Sequence, residues 1–183
     1  MKLLKIFLTL SLCFLFCNPN EKKFNLNEKL KDFKISGYVG QISPITSSDR
    51  SAFNPGLSIG IGLISPIEIN ILKQNLKWGL GFGYSNLKGN TSSNKKVSTA
   101  SINLINNFNK IPLIFQLGIG ISDDSEFGIT GSGIIDIMHK IPNEKIDVHI
   151  GIRMHNIFNV TDSWSVEHAN TLYGLNLILS HSI

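Results

Sequence analysis

The sequence predicts an all-β fold: an eight-stranded, antiparallel, up-and-down transmembrane β-barrel. Three observations lead there. Apolar residues recur with period two in eight segments, the signature of strands with two different faces. The alternate positions hold glycine and small polar residues rather than charges. The connections between segments tend to alternate between long and short, as they do in barrels that cross a membrane.

The candidate strands cover residues 33–42, 56–69, 76–86, 97–107, 111–121, 127–139, 145–156 and 170–182. In the second the apolar set is Leu57, Ile59, Ile61 and Leu63, and in the fifth Ile111, Leu113, Phe115, Leu117, Ile119 and Ile121. In the seventh it is Ile146, Val148, Ile150, Ile152 and Met154, and in the eighth Tyr173, Leu175, Leu177 and Leu179. The first and fourth segments alternate less cleanly, and a bulge in either would exchange their faces. These strands approach the roughly 9–11 residues that cross a bilayer at a tilt. The connections after strands one, three and seven, "SPITSSDRSAFNP", "LKGNTSSNKK" and "IFNVTDSWSVEHAN", are long and polar. Those after strands four and six, "NFNK" and "KIPNEK", are tight. "SDDSE" after strand five is shorter than the pattern asks, and "NILKQN" after strand two is not obviously tight.

Ahead of the barrel domain, 33–183, stand two further segments. Residues 1–17 place Lys2 and Lys5 before an apolar run from Ile6 to Cys17, the charged and hydrophobic regions of a secretory signal peptide. Residues 18–32 are polar and charged and suggest no chemistry. Both cysteines, Cys13 and Cys17, lie in the signal, so the barrel holds no disulfide and must stand on packing and backbone pairing.

The identity of the second face decides between a soluble and a membrane barrel. In "LKWGLGFGYS", residues 76–85, large apolar side chains alternate with Gly79, Gly81 and Gly83. Gly60, Gly62, Gly118, Gly120 and Gly174 share that phase with Ser58, Ser85, Asn176 and Ser180. Glycine weakens a strand and does nothing for solubility. It makes sense inside a narrow eight-stranded lumen, where some inward residues must be small so that others can be large. The bulky set then faces hydrocarbon. Only 16% of residues are charged, against about 25% in an ordinary soluble domain. The net charge of +4 comes without a basic, aromatic-interleaved stripe, so no nucleic-acid partner is expected.

On this reading Phe33, Trp78, Tyr84, Phe127 and Tyr173 fall near strand ends, where interfacial aromatics gather. The inward polar residues Gln116, Asp136, Asp147, His149, Arg153 and Asn176 form a lumen network that pairs buried charges. A turn centred near Pro142 and Asn143 would set Asp136 opposite His149. His149 and His155 share a face but stand roughly 20 Å apart along the strand, too far for one ion. No metal site, cofactor or catalytic residue is expected. "GIG" and "GLGFG" lie within strand patterns and not between a strand and a helix, so they carry no nucleotide reading.

Over residues 33–183 the chain resembles the small outer-membrane β-barrel proteins of bacteria. That family ends in a recognition signal for the barrel-assembly machinery, and here "YGLNLIL" offers Gly174, Leu177 and Leu179. Leu172 stands where a polar residue is usual, and the chain ends in Ile183 rather than phenylalanine. The resemblance implies assembly by that machinery and outer-membrane lipids as the surroundings. A fainter likeness is to eight-stranded lipid A deacylases, which carry a His-x-Ser pair near the last loop and a glutamate beyond. "RMHNIFN" offers His155, and Glu167 follows, but Ile157 stands in place of the nucleophile, and nothing aligns Ser163 or Ser165. The expected protein is exported to an outer membrane with a structural, adhesion or surface-interaction role, and is not an open pore. Its alternatives are a lipid A-modifying hydrolase and a soluble secreted or periplasmic barrel.

Overall fold

The computed structural model describes residues 33–45, 52–71, 74–90, 93–108, 111–125, 128–142, 146–160 and 166–182. The signal segment, residues 18–32 and Phe127 lie outside the described residues. Eight strands follow in order: β1 (Lys34–Pro44), β2 (Phe53–Ile71), β3 (Gln74–Gly89), β4 (Lys95–Asn107), β5 (Leu113–Asp124), β6 (Gly128–Ile141), β7 (Asp147–Val160) and β8 (Val166–Ser182). Each pairs antiparallel with the next, and β1 pairs with β8 from Lys34↔Ser182 to Pro44↔Leu172, closing the barrel. Closure gives every strand two neighbours and leaves no edge with unmet backbone groups, the condition for a sheet in hydrocarbon.

Proline marks where the ladders break or end. Its missing N–H cannot join a ladder. The two register shifts between β2 and β3, at Asn54/Leu57 and Ile64/Glu68, enclose Pro55 and Pro66. Pro44 ends β1, Pro112 precedes β5 and Pro142 follows β6.

The two faces are those of a membrane barrel. Every strand presents a bulky apolar residue outward: Ile35, Ile61, Phe82, Ile102, Ile119, Ile137, Ile152 and Leu175 are all exposed, Ile119 at 75%. The opposite phase is buried and polar, with Ser58, Ser85, Asn103, Ser122, Asp136, Arg153 and Asn176 inside. A continuous apolar band of this kind is foreign to a water-soluble monomer, which sets the soluble-barrel alternative aside. The uneven alternation of β1 and β4 has a specific cause. Neither strand is bulged against its neighbours. Instead each carries apolar residues on both faces: Ile42, Val97 and Ile105 point inward and are buried.

Glycine is required where side chains cross the lumen. The Tyr38 ring lies against the backbones of Gly60 and Gly83, and a Cβ at Gly83 would collide with Tyr38 Oη alone among close neighbours. Gly83→Ala is therefore expected to destabilise the barrel by about 1–3 kcal/mol through overpacking. Tyr38→Phe, which removes that oxygen, should restore most of the loss in the double variant. Urea titration of lipid-refolded protein reads both, and a Gly83→Ala barrel as stable as the parent would contradict this packing.

The long loops expected after strands one, three and seven are shorter than the sequence suggested, because pairing runs on into them. β2 has 19 residues and β8 has 17, and the β7–β8 ladder reaches Val160↔Val166. The connections 45–52, 90–94, 125–127 and 161–165 share one end of the barrel, here the loop end. The other end, the turn end, carries 72–73, 108–112 and 142–146 together with the start of β1 and the end of β8. The connection after strand two proves to be a tight hairpin, closing at Ile71↔Gln74.

Candidate functional site in the barrel lumen

The lumen is built in three levels. At the loop end, inward apolar residues from six strands meet: Ile42, Phe53, Leu87, Val97, Ile157 and Leu172 form one packed cluster. Beside them Lys95 and Asp124 pair at 3.3 Å with both side chains fully enclosed, and Lys95 Nζ stands 5.7 Å from the centre of the Phe53 ring. Charges this deep persist only when paired.

The middle level is an ion-pair network. Arg153 donates from Nε to Asp136 Oδ1 at 2.7 Å and from Nη2 to Asp136 Oδ2 at 2.9 Å, a two-point contact that matches the guanidinium fork to the carboxylate. Gln116 Nε2 donates to Asp136 Oδ2 at 3.1 Å. The Tyr38 ring covers the guanidinium at 4.0 Å, a cation–π contact. Strand register explains the assembly: Gln116↔Asp136 and Asp136↔Arg153 are directly opposed on β5, β6 and β7. This corrects the expected pairing of Asp136 with His149. His149 opposes Lys140, because the β6–β7 turn is centred two residues further along the chain than the Pro142–Asn143 position. Above this network Ser122 Oγ lies 3.3 Å from His155 Nε2 and 3.0 Å from Thr99 Oγ1, all inside the barrel.

The third level is a cavity of about 510 Å3 running from beneath the apolar cluster to the turn end. Its lining includes Tyr38 and Arg153 within, and Lys34, Lys77, Lys140 and Asp147 at the mouth. Asp147 bridges Lys34 at 2.6 Å and Lys140 at 2.7 Å.

Of the residues singled out from sequence, the structure joins Gln116, Asp136 and Arg153. Asp147 sits apart at the mouth. His149 and Asn176 are buried in the lumen but outside that network. Tyr84 and Tyr173 face outward on the loop-end halves of β3 and β8, and Trp78 is half-buried on the turn-end half of β3. Phe33 is 7% exposed and does not offer its ring to lipid. It precedes β1, so strand alternation does not extend to it. Gly174 faces inward against the Gln41 backbone, while Leu177 and Leu179 are exposed on β8. Tyr38 and the mouth lysines were missed. Tyr38 hides between glycines in the least regular strand, and the lysines flank strand ends where charge is ordinary.

A closed eight-stranded barrel with an apolar exterior and a charge-paired polar interior defines a class, the small membrane-spanning β-barrel. Within it the fold is similar to that of two solved proteins. One is the outer membrane enzyme PagL, at TM-score 0.53 and 14% identity, covering 82% of this chain and 99% of that one. The other is Neisserial surface protein A, NspA, at TM-score 0.53 and 14% identity, covering 83% of this chain and 97% of that one. No protein-family model matches the sequence, and no curated protein matches it.

Proposed function

We propose that the protein is exported to a bacterial outer membrane and spans it as a closed scaffold. It acts at its loop end in a structural, adhesion or surface-interaction role and does not conduct solutes. The observation that carries this reading is the apolar cluster of Ile42, Phe53, Leu87, Val97, Ile157 and Leu172, which packs together from six of the eight strands at the loop end. Eight strands enclose little more than their own side chains, and here the packed end adds to that. Insertion by the barrel-assembly machinery belongs to the same proposal, with Gly174, Leu177 and Leu179 as its signal, and outer-membrane lipids are the partners of the exposed band.

The hydrolase alternative finds no support at its own residues. His155 is turned into the lumen, away from lipid, and Ile157 is 0% exposed within the apolar cluster. Ser163 and Ser165 lie outside the described residues.

Two measurements test the proposal. Fractionation of expressing cells should place the chain in the outer membrane, with heat-modifiable migration on a gel. Protein reconstituted in planar bilayers should give no steady conductance steps. A stable ion-conducting state would overturn the closed-scaffold reading.

A further inference from the structure

The turn-end cavity is unusual for a polar lumen. Ile105, Ile134, Met138 and Ile178 all point inward and line it, on β4, β6 and β8. Beside them, on β2 and β3, the wall is formed at Gly62, Gly79 and Gly81, whose lack of side chains makes room for Ser36, Ile105 and Asn103. At the loop end inward apolar residues pack against one another. At the turn end they border an open volume of about 510 Å3, within the roughly 300–1,000 Å3 of small-molecule pockets. The mouth is edged with ammonium groups: Lys34, Lys77 and Lys140 are partly exposed, and the acids beside them are Asp147, shared by two lysines, and Glu68, 4.0 Å from Lys77. Among the described residues, three cations against two carboxylates leave the rim net positive. The Arg153 guanidinium beside this wall, paired with Asp136 between Ile134 and Met138 on β6, is already satisfied by Asp136 and Tyr38, so an incoming anion is held at the rim.

We propose that this cavity binds a small amphipathic carboxylate, an aliphatic acid, with its chain among Ile105, Ile134, Met138 and Ile178 and its carboxylate at the lysine rim. The apolar part of this mixed lining alone would take any oily chain. The rim selects the anion and sets which end points out. The inference goes beyond the scaffold reading and does not depend on which face of the membrane the turn end meets.

Carbon-13 methyl labelling of Ile and Met tests it, with the full chain in nanodiscs of zwitterionic lipid and octanoate as the probe. The Ile134, Met138 and Ile178 methyls should shift along a saturable curve. The lipid-facing Ile119 and Ile152 methyls should not follow it, which separates lumen binding from partition into the bilayer. Octyltrimethylammonium, with the same chain and opposite charge, should leave the lumen methyls unshifted at the same concentration, as should inorganic phosphate. The triple variant K34Q/K77Q/K140Q should raise the half-saturating octanoate concentration by about tenfold, the sum of three partly exposed ion contacts. Its heat-modifiable gel band would verify folding. Equal shifts with the cationic amphiphile, equal shifts with phosphate, lumen and lipid-facing methyls moving together, or an unchanged curve in the triple variant would each overturn the proposal.

Discussion

Asp136→Ala is expected to destabilise the barrel by about 3–5 kcal/mol, the cost of leaving one partner of a buried ion pair uncompensated. Arg153 would keep its place beneath Tyr38 but lose both carboxylate contacts, at 2.7 and 2.9 Å. Gln116 would lose its acceptor as well. The cavity lets some water reach the guanidinium, so the effect should fall toward the lower bound. The double variant Asp136→Leu/Arg153→Met should recover most of the loss, because replacing both charges by apolar groups is often close to neutral. Urea unfolding of lipid-refolded protein gives both values. A single variant within about 0.5 kcal/mol of the parent, the scatter of ordinary surface substitutions, would mean that the lumen solvates an unpaired guanidinium freely.

Ile119→Arg tests the other face. Ile119 lies near the middle of β5 and is 75% exposed. On a soluble protein an exposed arginine would change stability by no more than about 0.5 kcal/mol. At the middle of a lipid-facing strand it should cost about 2–4 kcal/mol. The same substitution at Ile129, equally outward but next to the loop-end start of β6, should cost about 0–1 kcal/mol, as charges near the interface do. The contrast between the two positions is the measurement. Equal effects at both would remove the hydrocarbon from the outside of this cylinder.

The parts of the fold that the sequence displays are those where the two environments differ most. Along the spanning stretch, lipid outside and a crowded lumen inside force opposite side-chain choices on neighbouring residues, and the period of two is plain. Beyond it, in "NVTDSWSVEHAN", the sequence loses that period. The ladder continues through Asn159↔Glu167 and Val160↔Val166 with no alternation to announce it, and so the last connection reads as a long loop. Ile42, Val97 and Ile105 blur their strands for the opposite reason: they serve an apolar interior, at the cluster or the cavity, and so copy the chemistry of the outer face. The network at Asp136 was legible as a set of inward charges, but not as pairs. Partner choice depends on where the β6–β7 turn falls, and a turn placed two residues away brings a different residue of β7 opposite the carboxylate.

The seam between β1 and β8 has a consequence in time. The first strand to be synthesised finds its second neighbour only in the last, eleven rungs from Lys34↔Ser182 to Pro44↔Leu172. Until Ser182 exists, β1 has one flank open, and no internal segment can substitute without breaking the order of the ring. Contacts between such distant parts of a chain form slowly. A nascent chain must therefore be kept apart from others of its kind until its tail arrives.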